Sequence, residues 1–241
     1  MCIRDSSQYG DLSKTYFLIW TTTIWTLPGN MAIAVHPRES YVLVKADNGE
    51  QYILAEALTE KVMKAGGIEH YEIAARFTGS DFEYMKARHP FLDKDSLLCC
   101  AEYVTMDSGT GCVHTAPGFG ADDYETCKRY KVDLVVPVDD QGRHTDYAGK
   151  YAGMKTDESN PVILQDMKES GMLFASEDIV HSYPHCWRCK KPIIFRATPQ
   201  WFCSVDSFKD EACAACDDVR WVPGWGIDLS LIHISEPTRP Y

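Results

Sequence analysis

YFLIWTTTIWTLPGNMAIAV, residues 16–35, is the stretch on which the reading of the fold turns. Its opening YFLIW is aromatic and β-branched, the composition of a buried strand. MAIAV, residues 31–35, reads as a second strand, and Pro28, Gly29 and Asn30 demand a turn between the two. Thr21, Thr22 and Thr23 fall where the first strand ends. Strand alternation sends Thr21 and Thr23 to one face and Thr22 to the other. A surface that uses all three hydroxyls therefore requires the chain to leave strand geometry at this point.

Outward from this stretch the short strands continue. SYVLVKA (40–46) and QYILA (51–55) flank the hairpin turn Asp47-Asn48-Gly49-Glu50. AEALTEKVMKAGG reads as a helix with Leu54, Leu58, Val62 and Met63 on one face, ended by Gly66-Gly67. YEIAARFTG (71–79), LLCCAEYV (97–104), VDLVVPV (132–138), MLFASEDIVHSYP (172–184) and IIFRATPQWFCSV (193–205) all read as strands. ADDYETCKRY (121–130), ESNPVILQDMKESG (158–171) and SFKDEACAACDDV (207–219) read as helices. No repeat or low-complexity linker interrupts them. Many short strands with few helices predict a β-rich α+β fold, a closed or nearly closed β-barrel with helical inserts.

The 241 residues carry 24 Lys+Arg against 35 Asp+Glu, a net charge of −11, the wrong sign for a protein that grips nucleic acid along an extended basic face. Any nucleic-acid contact should be local. No apolar run approaches the roughly 20 residues of a membrane-spanning helix, and MCIRDSSQYG lacks the apolar stretch of a signal peptide. These features predict a cytoplasmic protein without a membrane partner, and its ten cysteines read as reduced thiols. The opening MCIRDS and the closing IDLSLIHISEPTRPY resemble translated sequencing-adapter DNA, and the second loses all periodic pattern. Residues 1–8 and 227–241 are therefore set aside as a non-native leader and tail.

Chemistry concentrates in two places. In GTGCVHTAPGFGADD (109–123), Asp122 alone is a helix cap and His114 alone a core histidine. Together with the tight turn at Pro117, Gly118 and Gly120 they form a candidate site, because glycines let a ligand approach the backbone and Asp122 or Asp123 can hold a cationic amine. The lysine and Ser/Thr of a phosphate-binding loop are missing. The second place is HSYPHCWRCKKP, with His181, His185 and the Cys-x-x-Cys pair Cys186 and Cys189, the shape of a zinc knuckle. Cys213 and Cys216 could supply the other half, giving a zinc-ribbon nucleic-acid-binding module without catalysis, although their i, i+3 spacing on an apolar helix face equally fits core side chains. No Gly-x-Ser-x-Gly elbow or His-Glu-x-x-His motif occurs, so any hydrolysis must position a water rather than form a covalent intermediate.

TTTIWTLPGNMAIAV, GTGCVHTAPGFGADDY, HSYPHCWRCKKPIIFRATPQWF and DDVRWVPGWG, taken in order, resemble isoleucyl-tRNA synthetase, a class I aminoacyl-tRNA synthetase. The resemblance runs from about Tyr9 to Gly226. It implies an editing domain over 9–180, a zinc-knuckle-like segment re-entering a Rossmann-type catalytic domain over 181–226, and hydrolysis of valyl-tRNA(Ile). A synthetic pocket separates side chains differing by one methylene by only about 1–3 kcal/mol, isoleucine against valine being the standard instance, so a second site must remove the errors. The resemblance assigns Thr21, Thr22 and Thr23 to the pocket for the terminal adenosine and the hydrolytic water, with Thr26 and Asn30 alongside. His114 is assigned to the amino-acid wall that excludes isoleucine, Asp123 to the substrate ammonium, and Gly118 and Gly120 to the approach of the ligand.

The family's His-Ile-Gly-His and Lys-Met-Ser-Lys-Ser motifs are absent, so ATP and magnesium belong only to a full-length enzyme, and editing needs no cofactor. In many relatives Cys186 and Cys189 complete a zinc site with an upstream Cys-x-x-Cys pair that is missing here, which leaves a half site. The partners implied are the acceptor end of tRNA(Ile) and a valine or isoleucine ester, met by a monomer. Relatives often carry proline where Ile24 stands and histidine where Phe119 stands.

Overall fold

The computed structural model describes residues 14–180 and 182–235, together with the backbone of a short strand at Cys2–Ile3. The rest of the expected leader, the last six residues of the expected tail and His181 lie outside the described residues. The chain divides into two compact units, Met1–Ala197 and Thr198–Tyr241. Residues 182–197, expected from the sequence to form one segment with residues 198–226, thus belong to the first unit.

The first unit is built on a nine-stranded mixed sheet. In chain order its strands are β1 (Cys2–Ile3), β2 (Thr15–Phe17), β3 (Ala32–Val35), β4 (Ser40–Ala46), β5 (Gln51–Ala55), β6 (Tyr71–Thr78), β7 (Lys86–Arg88), β8 (Asp95–Cys100) and β9 (Cys112–Thr115). Their order across the sheet is β6-β4-β5-β2-β1-β7-β8-β3-β9. The β4–β5 hairpin pairs Val42 with Leu54 and Val44 with Tyr52 about the turn at residues 47–50. β4 is buried at four consecutive positions, as a strand covered on both faces must be. β6 alternates between exposed and half-buried residues, the pattern of an edge. Phe17, Ile33, Val35, Tyr41, Leu54, Met63 and Leu98 form the main core. Within it the Phe82 ring meets Phe17 and Tyr41 edge-on at 5.2 and 5.7 Å.

The expected β-barrel is corrected. β2 ends at Phe17, and beyond it only Trp20 reaches the far end of the sheet, in an isolated bridge to Val113 of β9. Trp20 N donates to the Cys112 carbonyl at 2.9 Å, and His114 N donates to the Trp20 carbonyl at 3.2 Å. One bridge draws the curled sheet together without closing a ladder.

The helices of this unit are α1 (Thr59–Ala65), α2 (Ala121–Arg129) and α3 (Thr156–Glu169). Between the stretches read as strands at 71–79 and 97–104 lies β7, which pairs antiparallel with β8. VDLVVPV is not a strand, and its one pairing is a bridge from Val138 to His144. Its backbone is engaged otherwise, the Val135 carbonyl lying so close to Gly118 that a Cβ there would meet it at 2.5 Å. Residues 172–180, 182–184 and 193–204 join no ladder, so the Rossmann-type segment is not borne out. In the second unit α4 (Lys209–Ala215) falls where expected, and α5 (Gly226–Ser235) is a helix on part of the stretch read as patternless. No helix among the described residues is long and apolar enough to cross a membrane.

α3 fixes the chain where β2 ends. Residues Ile24–Gly29 wind into a 3-10 turn, and the Asn160 carboxamide oxygen of α3 accepts the Trp25 N–H at 2.9 Å. Beneath it Leu27, Ala148, Tyr151 and Ile163 form a second buried cluster against which Ile24 packs. Ile163 is fully buried. We expect Ile163→Ala to lower the unfolding free energy by about 2–5 kcal/mol, read from urea denaturation. An unchanged midpoint would mean that α3 does not support the turn.

Candidate active site

The 3-10 turn converts three threonines of alternating direction into one surface. Thr23, at the head of the turn, has φ −124° and ψ 87°, outside helical geometry. The Thr21 hydroxyl accepts the Thr23 N–H at 3.1 Å and donates to the Thr23 carbonyl at 3.3 Å, while Thr22 and Thr23 bring their hydroxyls to 3.5 Å of each other. All three line a cleft of about 420 Å³ together with Trp20, Trp25, Thr26, His114, Phe119, Asp123, Tyr183 and Phe195.

β9 supplies the facing wall. His114 is buried, and both of its ring nitrogens are engaged, Nε2 with Thr26 Oγ1 at 3.0 Å and Nδ1 with the Asn30 amide nitrogen at 2.7 Å. Burial pushes its pKa down to about 3, aided by the charge of Lys94. The ring is therefore neutral and has no free lone pair, so in this arrangement it cannot act as a general base. Its place is in the wall.

Asp123 comes from the first turn of α2, where the helix dipole favours a carboxylate. Its Oδ2 accepts the Ala116 N–H at 2.8 Å, and its Oδ1 accepts from the Tyr103 hydroxyl at 3.4 Å. Burial raises its pKa above the ordinary carboxylate value, against the opposing pull of the Ala116 N–H. A half-buried carboxylate held by two donors and facing a cleft suits an ammonium group. Asp122, its neighbour, is exposed and outside this cleft. It lines instead a second, open depression of about 390 Å³ with Glu102, Tyr103, Glu125 and Arg129, which offers no nucleophile–base pair.

The remaining candidates separate. Thr26 lines the cleft. Asn30 is fully buried behind His114 and reaches the cleft only through it. Gly118 and Gly120 shape the loop rather than the wall, since a Cβ on Gly120 would crowd the Asp123 carboxylate at 3.2 Å. The aromatic wall of Trp20, Trp25, Phe119, Tyr183 and Phe195 was missed in sequence. Trp20 and Trp25 flank the threonines and read there simply as strand and turn hydrophobics.

Cys186 and Cys189 sit in a tight knuckle closed by the His185–Pro192 bridge and by a 2.8 Å bond from Lys190 N to the Cys186 carbonyl. N–H groups of Cys189 and Arg188 lower the Cys186 pKa. That chemistry suits a thiolate ligand, but no group of three or more His, Cys, Asp or Glu side chains able to hold a metal occurs among the described residues. Among the described residues the knuckle thus brings two thiols together, half the ligand number of a tetrahedral zinc site. The zinc ribbon is not supported: Cys216, just past the end of α4, is buried and donates its thiol to the Ala212 carbonyl, as a core side chain does.

With the geometry in place, the comparisons with known proteins are specific. The sequence profile of the leucyl-tRNA synthetase editing domain matches residues 10–179, and the chain belongs to this family of aminoacyl-tRNA synthetase editing domains. Within the synthetases its sequence is similar to isoleucine–tRNA ligases. It is 54% identical over 215 residues to that of Caldicellulosiruptor bescii, covering 89% of this chain and 23% of that protein. To that of Petrotoga mobilis it is 52% identical over 216 residues, again covering 89% of this chain and 23% of that protein. The chain thus spans about a quarter of the length of the curated relatives it matches. Its fold is similar to the editing domain of the P. falciparum cytosolic leucyl-tRNA synthetase, with a TM-score of 0.56 and 14% identity over 73% of this chain and 89% of that one. The P. knowlesi domain gives a TM-score of 0.53 at 13% identity over 68 and 85% of the two chains.

Two buried neutral histidines flank the turn. His89 donates from Nε2 to the Leu27 carbonyl at 2.9 Å and accepts the Leu92 N–H on Nδ1 at 3.1 Å. Burial pushes its pKa down to about 3 as well. Both folded values lie below the unfolded value of 6.5, so the unfolded chain binds protons first as pH falls. The stability these neutral rings contribute is complete above pH 6.5 and drains away toward about 3. The slope approaches about 1.4 kcal/mol per pH unit for each ring. We expect the urea midpoint to fall continuously from pH 6.5 to 4, with a shallower fall for His89→Gln. An equal slope in that variant would place the linkage elsewhere.

Proposed function

We propose that this chain hydrolyses the ester of valine on tRNA(Ile) and spares the isoleucyl ester. The observation that carries the reading is the placement of three threonine hydroxyls and one amine-binding carboxylate around a single cleft beside a neutral histidine wall. An aminoacyl ester is already activated, so its hydrolysis needs a held water, donors for the developing oxyanion and a fixed amino group. Hydroxyls of Thr21, Thr22 and Thr23 supply donors and acceptors for the water, and Asp123 takes the substrate ammonium. The exposed rings of Tyr183 and Phe195 at the cleft suit the faces of nucleobases.

His114 closes the amino-acid end as a rigid apolar-faced wall, and a methylene too many meets it. No cofactor enters this step, and the chain's own residues include no covalent nucleophile in position. The substrate brings its charge in one narrow acceptor end, which accords with a protein of net charge −11. Attachment of isoleucine to tRNA, the activity named for the relatives, belongs by this reading to the remaining three quarters of such proteins.

The test is deacylation of valyl- and isoleucyl-tRNA(Ile) by the purified chain. We expect valyl ester loss well above the spontaneous rate and isoleucyl ester loss near it. Equal loss of both would remove His114 from its role, and loss of neither by a folded chain would overturn the proposal. Asp123→Asn keeps an acceptor for the Ala116 N–H and removes the charge. We expect kcat/KM for the valyl ester to fall about 10- to 100-fold, checked by steady-state deacylation; an unaltered rate would end the ammonium assignment.

A further inference from the structure

Behind the cleft wall lies a polar chain whose direction can be worked out atom by atom. Ser96 of β8 is fully buried and donates its hydroxyl to Asn30 Oδ1 at 2.5 Å. The Asn30 amide nitrogen donates to the Ala32 carbonyl at 2.9 Å, which settles which end of the carboxamide is which. Its second N–H points at His114 Nδ1, 2.7 Å away. An amide nitrogen cannot accept, so Nδ1 carries the lone pair and the imidazole proton resides on Nε2. Nε2–H then donates to Thr26 Oγ1 at 3.0 Å, and the Thr26 hydroxyl spends its own proton on the Thr23 carbonyl at 2.7 Å. Apart from the Asn30 N–H held by Ala32, each member from Ser96 through Asn30 and His114 to Thr26 donates to the next, toward the threonine turn.

We propose that Ser96 is a positioning residue of this site, which through Asn30 locks His114 as the Nε2–H tautomer and thereby holds the Thr23 carbonyl and the threonine hydroxyls in their working orientation. The proposal rests on the hydrolytic reading above for its effect on rate, but not for its effect on the tautomer. The physical reason is satisfaction. With Ser96 present, Asn30 Oδ1 has a donor and both amide hydrogens have acceptors, so one orientation of the carboxamide satisfies every group. Without the serine hydroxyl Oδ1 is buried with no donor among these contacts, which removes one of the two locks on the carboxamide and leaves the Ala32 carbonyl alone to oppose the flipped amide that would present an oxygen to His114. His114 would then turn its proton to Nδ1, Thr26 would donate back to Nε2, and the Thr23 carbonyl would lose its 2.7 Å tether.

The experiment compares the wild-type chain with Ser96→Ala by proton–nitrogen correlation of the histidine rings, His114 being assigned from the signal missing in His114→Gln. Deacylation of valyl-tRNA(Ile) is measured in parallel. We expect the wild type to show the Nε2–H tautomer of His114 alone. Ser96→Ala should show a measurable Nδ1–H population, with kcat lower by about tenfold and KM within about twofold. Ser96→Thr, which restores the hydroxyl, should recover both. If Ser96→Ala does not fold, Ser96→Cys keeps the size with a weak donor and should shift the tautomer in the same direction. A folded variant with the wild-type tautomer overturns the proposal whether or not kcat falls. If the wild type hydrolyses no ester, the function is wrong while the tautomer spectrum still decides the role of Ser96.

Discussion

The bridge between Trp20 and Val113 is the constraint from which the site follows. β2 and β9 stand at different places in the sheet, and β2 proper forms no ladder with β9. By continuing past Phe17 just far enough to exchange two hydrogen bonds with Cys112 and His114, the chain delivers the three threonines beside the histidine wall. Two residues less would leave the turn short of the wall, and two more residues of ladder would return the threonines to alternating faces. The single bridge is thus the compromise between closing the sheet and freeing the hydroxyls.

Rigidity reaches the turn from two sides. Asn160 holds the Trp25 N–H from α3, and the apolar cluster of Leu27, Tyr151 and Ile163 fixes the turn's underside. From the opposite side, the buried relay ending on the Thr23 carbonyl fixes its head. Buried polar groups of this kind are costly when left unmet and specify one arrangement when all are met. His89 contributes in the same manner, its Nε2–H giving the Leu27 carbonyl a second donor beside the Asn30 N–H that ends the turn.

The strands were legible because their signals are local. Ser40–Ala46 and Gln51–Ala55 coincide with the runs read from β-branched and aromatic composition, and Asn48-Gly49 marks their turn. What was not legible depends on partners. VDLVVPV has strand composition, but the loop at Gly118 packs against its backbone, and composition cannot report that. IIFRATPQWFCSV has strand composition but joins no ladder among the described residues, since a chain becomes sheet only when a neighbour completes its hydrogen bonds. In the site, Thr21, Thr22, Thr23 and His114 stood out as polar residues beside apolar strands and Asp122 and Asp123 as acids at a helix start, the choice of Asp123 coming from the family resemblance. Ser96 did not, because a lone serine in a strand carries no sequence signal and its role exists only through Asn30, 66 positions away.

Stiffness is also what the chemistry of discrimination demands. A pocket that yields admits the extra methylene at little cost, and a difference of one such group gives at most about 1–3 kcal/mol even in a rigid one. A wall built from a flexible aliphatic side chain would surrender part of that difference by rotamer change. His114 cannot move so freely, because displacing the ring breaks the bonds on both of its nitrogens in a buried setting. Burial, aided by the charge of Lys94, keeps it uncharged, so on the proposed reading the wall does not compete with a substrate ammonium for Asp123. An imidazolium there would attract the carboxylate and repel the amine. On the proposed reading, a neutral ring held at both nitrogens and a carboxylate held by two donors leave that carboxylate to the substrate amine.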